Sequence, residues 1–467
     1  MAIRTVSASP TTSNAGLNTK SLQGGSTPTP WVRNPQWLTL PTVLSTDQKM
    51  VGLNAIFPLS NFIALVAAGD YTVDWGDGVT ENFAANVVAY HEYDYTNSAF
   101  NGTLTDLGYK QAIVTVTPQS GQNLTYLNLN QKHNQANLQA YTSGFLDIAV
   151  SSAELTDLRI VVSTPSSTSG VINFNNLKQF SLINSDCKQL NNFFNRATSL
   201  QSIGEFVTSA DAPVTEAVTF TDVGDLVTLA AHGFRNNDSV LFTTITSTTG
   251  IVVDTTYYII NTTTDTFQVS TTYGGSAVNL VTDGTGTVVY GAAMLSMFSN
   301  CSSLTNVSLF NTASVTNMQS MLQNCISLTN VPLFNTVNVT NIRTMFISCQ
   351  SLTNVPLFNT VNVTNMFAMF NSCTSLTSVP ALVTTAVNSS GNFANMFSSC
   401  TSLTRIEAKD FRFTFSVTSC KLSAASLDEI YTNLPVAVGQ TITVTGNYGT
   451  ATDTPAIATA KGWTVTG

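Results

Sequence analysis

The sequence predicts a mixed, β-rich protein: a β-sandwich followed by a repeat solenoid that a small all-β insert interrupts. Three observations predict it. Between Trp37 and about Val150, short apolar-alternating runs are separated by turn signals such as Gly76-Asp77-Gly78 and Asn101-Gly102, the grammar of paired strands. From Met294 to Cys400 one string returns with a period of 24 residues, and a regular Leu at that period marks coils that bury their apolar set on one another. A related string, Asn192-Phe193-Phe194-Asn195 through Leu200 to Ile203, already stands upstream, so the coils are divided by chain of another character.

Length and composition set the frame. A chain of 467 residues exceeds one ordinary core and is expected to be modular. Only 9% of residues are charged, against roughly 25% in an average soluble protein, so solubility rests on Thr, Ser and Asn. The net charge of −9 argues against a phosphate-binding surface, because nucleic-acid affinity comes largely from Lys and Arg that displace counterions. No partner nucleic acid is expected. Met1 to Pro10 carries one Arg and no apolar run, so no cleavable signal peptide is expected, and no apolar stretch long enough to span a bilayer occurs. Membrane insertion is therefore not expected either. Five of the seven Cys recur once per repeat, which is not the pattern of a local disulfide framework.

In chain order, residues 1–35 are rich in Ser, Thr, Gly and Pro without apolar periodicity and read as an extended arm. Residues 36–150 form the sandwich. There Tyr71, Val73 and Trp75 share a strand face before the Gly-Asp-Gly turn, His91, Tyr93 and Tyr95 alternate in a partner strand, and Ala112 to Thr117 closes the unit. The W-G-D-G string, the later H-x-Y and the V-T-V strand resemble the PKD-type immunoglobulin-like domain of surface and extracellular proteins. The resemblance implies that Trp75 and Tyr93 are core residues and that Asp77 holds the turn by accepting backbone N–H bonds. Asp74 and Asp77 together raise a calcium site as the alternative, although no third acidic ligand lies in the turn.

Residues 151–211 begin the solenoid, with strings such as Leu155-Thr156-Asp157-Leu158-Arg159-Ile160 and Leu177 to Leu182. Residues 212–290 form the insert, whose strands recur at about ten-residue spacing. Its order, Val227-Thr228-Leu229 with His232-Gly233, then Thr256 to Ile260, then Phe267 to Ser270, resembles a small β-module recurrent in tailed-phage structural proteins.

Residues 291–420 carry the regular repeats. Met297, Met321, Met345, Met369 and Met396 precede Phe298, Leu322, Phe346, Phe370 and Phe397. The Cys series (Cys301, Cys325, Cys349, Cys373), the Leu series (Leu304, Leu328, Leu352, Leu376) and the Val series (Val307, Val331, Val355) follow in register. This leucine-rich repeat, with its Cys-x-Ser-Leu-Thr-Asn-Val-Pro-Leu-Phe-Asn-Thr string, resembles the BspA-type repeats of bacterial surface antigens, which implies a right-handed solenoid used for adhesion and contact. The Cys ladder reads as a row of small buried hydrophobes, the Met-Phe pairs as core of a short helical segment, and each Asn of Phe-Asn-Thr as a turn residue. Between Met294 and Cys400 the only charged side chain is Arg343, whereas an exposed face normally carries interspersed charge. Residues 421–467 close the chain as a cap, with a helix from Ser423 over Leu427, Ile430, Tyr431 and Leu434.

Catalytic signatures are weak. The three His (His91, His133, His232) are far apart, no phosphate loop is present, and the acids of the sandwich sit where solvated loops are expected. Neither a catalytic residue nor a cofactor or metal is expected. The reading that results is a structural surface protein of a tailed-bacteriophage virion, as capsid decoration, head fibre or tail-associated component. Its expected partners are other virion proteins (capsid, neck or tail subunits), with a host-surface glycan or protein as a second class and a homo-oligomer left open. The alternative is a bacterial cell-surface adhesin.

Overall fold

The computed structural model describes residues 32–467 except 59–60, 130, 132–143, 161–175, 188–189, 191–192, 208–213, 231, 233, 235, 237, 254, 273–274, 291, 388 and 408. Most of the arm and His133 thus lie outside the described residues. The chain is mostly β with few helices, and a β-solenoid of about 11 turns runs from residue 126 onward.

Among the described residues eleven strands precede the insert: β1 (Lys49–Ile56), β2 (Phe62–Ala68), β3 (Tyr71–Asp74), β4 (Thr80–Phe83), β5 (Ala89–Glu92), β6 (Lys110–Pro118), β7 (Tyr126–Asn128), β8 (Phe145–Ser151), β9 (Asp157–Arg159), β10 (Gln179–Asn184) and β11 (Ser202–Phe206). They make two sheets, ordered β11-β10-β8-β1-β6-β3-β4 and β5-β2-β7-β9. In each sheet antiparallel pairing gives way to parallel pairing at a single strand. β8 pairs antiparallel with β1 on one edge and parallel with β10 on the other, and β7 does the same between β2 and β9. The solenoid is therefore a continuation of both N-terminal sheets, starting within the stretch that the sequence pattern assigned to the sandwich. Alternation alone cannot reveal this, because it reads the same in either pairing direction.

One apolar cluster runs without a break from Met50 and Trp75 through Phe180, the repeat Met, Cys and Leu rows, to Trp463. Arg33, at the end of the stretch expected to be an arm, is tied down: its Nε lies 3.0 Å from Asp147 Oδ2 on β8, and its Nη1 donates to Trp37 O.

The insert is a closed barrel of β12 (Val214–Thr221), β13 (Leu226–Thr228), β14 (Ser239–Thr246), β15 (Thr256–Ile260), β16 (Thr266–Ser270) and β17 (Gly284–Tyr290), in the order β12-β13-β16-β15-β14-β17. Its core, including Phe220, Phe242, Phe267 and Val288, is separate from that of the solenoid. The repeat passes under it in register. Thr305 Oγ1 donates to Gln201 O across 104 residues in the same way that Thr329 Oγ1 donates to Thr305 O across 24, so the barrel enters a single coil as added chain.

The regular coils contain no helix where the Met-Phe pairs lie, contrary to the expectation from the sequence. Each passes instead through consecutive turns with two left-handed residues four apart: Ser296 and Asn300, Ser320 and Asn324, Thr344 and Ser348, Ala368 and Ser372, Asn395 and Ser399. These residues send amides out to the next coil. Met318, Ser320, Leu322 and Asn324 donate to the carbonyls of Asn341, Arg343, Met345 and Ile347 at 2.8–3.0 Å, and the following coil repeats the pattern through Ile342, Thr344, Phe346 and Ser348. A helix would have kept those donors for itself. The apolar period was read correctly, but period cannot distinguish a helical turn from a flat rung with the same face inward.

After the last regular coil, helix α1 (Ala424–Asn433) is capped by Ser423, whose side chain accepts from Ser426 N. A three-stranded parallel sheet of Phe415–Ser416, Gln440–Thr443 and Trp463–Thr466 follows, with Trp463 set edge-on to Phe415 at 6.1 Å.

Two outcomes are expected. Excising residues 208–291 and joining the flanks with the Thr312–Val315 sequence leaves a chain that still melts cooperatively, because the barrel core is its own. Ser348→Gly raises stability by about 0.5–1 kcal/mol in urea denaturation, since glycine takes a left-handed backbone without the Cβ clash.

Candidate functional site

The row residues named from the sequence all face the interior: Met297, Phe298, Cys301, Leu304, Met321, Cys325, Leu328, Met345, Cys349, Leu352, Met369, Cys373 and Leu376 are at most 1% exposed, and Val307, Val331 and Val355 line the margin. The thiols are more than fillers. Cys325, Cys349, Cys373 and Cys400 donate to the carbonyls of Phe298, Leu322, Phe346 and Phe370 one coil upstream, at 3.0–3.1 Å. Each satisfies a buried carbonyl oxygen that would otherwise lack a second donor. Burial pushes all of them, and Cys301, well above the ordinary thiol range, and Cys420 up to about 12. They are poor nucleophiles.

The N-terminal residues Trp75, Asp77 and Tyr93 meet. Trp75 is fully buried with its Nε1 donating to Glu81 Oε2 at 2.8 Å, and Tyr93 donates its hydroxyl to Trp75 O at 2.9 Å. Asp77 Oδ1 accepts from Val79 N, and Asp74 Oδ1 accepts from Gly76 N, so both carboxylates hold the turn. Asp77 Oδ2 lies 2.8 Å from His91 Nε2, and the His91 ring stacks on Trp75 at 4.8 Å. Sequence reasoning placed His91 on the partner strand but did not pair it with Asp77. The register of β2 with β5, which sets Ile63 opposite His91, positions it.

The site that sequence reasoning did not assemble is a cleft of about 450 Å³ between barrel and solenoid, lined by Thr255, Tyr258, Thr271 and Thr272 on one side and Gln319, Asn341, Arg343, Thr364, Asn365 and Asn392 on the other. The coil geometry builds its floor. Asn317, Asn341 and Asn365 each turn the chain by accepting from the amide two residues on, that of Gln319, Arg343 and Phe367 respectively. Those three side chains therefore stack one per coil, about 4.8 Å apart. As a result the Arg343 guanidinium lies over the Phe367 ring at 4.0 Å. On its other side Gln319 Oε1 accepts from Asn341 Nδ2 at 3.1 Å and from Tyr258 Oη at 3.2 Å, the latter a bond between barrel and solenoid. No ion pair of Arg343 occurs among the described residues. The only signal in the sequence was that Arg343 is the lone charge of its run.

A second surface feature is a ridge. Leu309, Leu333 and Leu357 occupy the same position in successive coils at 66%, 58% and 57% exposure, with Val337 and Val361 also exposed. The pattern string shows a leucine at this position without showing that it points outward.

Among the described residues no group of three or more His, Cys, Asp or Glu could hold a metal ion, and no helix is long and apolar enough to cross a membrane. Residues 292–411, the charge-poor coils, match a family model described as Mycoplasma protein of unknown function, DUF285. No curated protein and no solved structure matches the chain. The family match and the β-solenoid fit a repeat-containing surface protein.

The thiol ladder gives a pH signature. A thiol whose folded pKa is raised stabilises the fold fully below its unfolded pKa, here 9.0, and that stability is lost as pH rises above it, because only the unfolded chain then releases protons. At pH 10 the loss is about 1.4 kcal/mol for each buried thiol. Denaturation under reducing conditions should show stability level to pH 8 and falling steeply by pH 10. A thiol reagent should label no repeat cysteine in the native chain and all of them in guanidinium.

Proposed function

We propose that the chain is a structural surface protein of a tailed-bacteriophage virion, a capsid decoration, head fibre or tail-associated component, that works by contact rather than catalysis. The observation that carries the reading is the Leu309, Leu333 and Leu357 ridge on a solenoid that holds one charge between Met294 and Cys400. Contiguous exposed leucines on a folded surface mark a place where another protein packs. A stack of coils at fixed spacing presents such a ridge as a rigid, pre-ordered strip, which lowers the entropic cost of docking. The PKD-type and immunoglobulin-like resemblance of the N-terminal strands and the phage-type resemblance of the barrel support a particle origin. The acids that a glycosidase would need are occupied: Asp74, Asp77 and Asp94 accept turn amides, and Glu81 accepts from Trp75. The partners on this reading are capsid, neck or tail subunits.

A second reading, a bacterial cell-surface adhesin, is favoured by the family match, whose description names a bacterium, Mycoplasma. The two separate on one measurement. Leu309→Asn, Leu333→Asn and Leu357→Asn combined should melt like the parent, since the side chains are exposed, yet be lost from particles purified after complementation. Incorporation at the parental copy number would overturn the particle-contact reading, and binding of the parent chain to whole bacteria without particles would favour the adhesin.

A further inference from the structure

We propose that the cleft between barrel and solenoid binds a carboxylate-bearing saccharide, with Arg343 as the carboxylate anchor. The proposal deepens the surface-contact reading and rests on it for presentation of the ligand outward. Four observations carry it.

Arg343 is the one charged side chain between Met294 and Cys400, and its guanidinium carbon lies over the Phe367 ring, 4.0 Å from the centroid. The ring covers one side of the group, and Arg343 lines the cleft. A guanidinium edge is a planar fork that matches a carboxylate with two parallel bonds. Among the described residues no acidic side chain lines the cleft. The charge match is one to one, whereas a phosphate dianion would face a single cation on a chain of net charge −9.

The rest of the cleft suits the sugar. Asn341, Asn365 and Asn392 come one from each successive coil, and amide N–H groups beside the guanidinium can donate to sugar hydroxyls. Asn365 Oδ1 is held by Phe367 N, which fixes the orientation of that amide and leaves its NH2 as the group to donate. The lining includes no exposed leucine or valine, so it lacks the apolar anchor that a protein partner's hot spot would seek. The leucine ridge has that character instead.

The barrel forms the second wall, and a hydrogen bond from Tyr258 to Gln319 joins the two walls. This gives the insert a role in recognition: it converts an open coil face into a cleft.

The test uses the full chain and calorimetric titration with an oligogalacturonate, its fully methyl-esterified form, a sulfated neutral oligosaccharide, and a peptide with a free C-terminal carboxylate. The oligogalacturonate should bind, with at least about tenfold loss on esterification, at least about tenfold loss in Arg343→Gln, and partial retention in Arg343→Lys. Arg343→Gln and the parent should melt alike, since Gln already occupies the equivalent position at 319. The proposal is overturned by equal binding in Arg343→Gln, by no binding of the oligogalacturonate at about 10 mM, or by preference for the sulfated sugar or the peptide. The leucine-ridge variant retains Arg343 and should bind the oligogalacturonate normally. Failure of saccharide binding with normal ridge-dependent incorporation would therefore sink this proposal alone.

Discussion

Everything in the solenoid depends on the amide rungs that join one coil to the next. Four N–H groups per regular coil donate to carbonyls of the next coil, while threonine amides such as those of Thr340 and Thr364 donate back to Thr316 O and Thr340 O of the coil before. Aligned bonds of this kind polarise one another. Holding the amides outward requires two left-handed residues per coil, and for an L-residue that backbone costs about 1–2 kcal/mol each. Net gains of about 1 kcal/mol per hydrogen bond, together with burial of a Met, a Phe or Leu, a Cys and a Leu in every coil, offset the strain. Asn, which tolerates the left-handed region best, takes only some of these positions. The others fall to Ser, Thr and Ala, and rung formation overrides their preference.

The same constraint explains the thiols. The inward carbonyls of Phe298, Leu322, Phe346 and Phe370 face the next coil, and the residue that is small, apolar and still able to donate is Cys. In the coil before the insert Ala197 stands where Cys301 stands in the next, and Cys301 reaches back to Phe194 O at 3.1 Å. Each of these cysteines donates to a carbonyl of the coil before it, which accounts for its once-per-coil recurrence better than packing alone.

Joining is handled by pairing direction. A solenoid end is an open row of peptide groups, which invites association unless covered. Here β1 and β2 cover that row by antiparallel pairing with β8 and β7, and the two units share one core. The barrel follows the opposite logic. It is closed, has its own core, and touches the solenoid through polar contacts such as Tyr258 with Gln319. That permits its insertion into one coil without disturbing the inter-coil register.

The sequence by itself determined the repeat length, the buried rows, the interruption and the poverty of charge, because period and composition are local properties that survive in one dimension. Strand alternation around Trp75, the Asp77 turn and the Ser423 cap were legible for the same reason. Tertiary structure decided what lies between elements. It set where parallel pairing begins, turned an expected helical segment into rungs, and pointed Leu309, Leu333 and Leu357 outward while Leu304, Leu328 and Leu352 went inward. It also brought Tyr258 to Gln319 and Arg343 across an insert whose docking no spacing rule encodes. Whether a side chain faces core, solvent or a cleft depends on which surface its coil turns toward a neighbour, and that is a property of the packed stack.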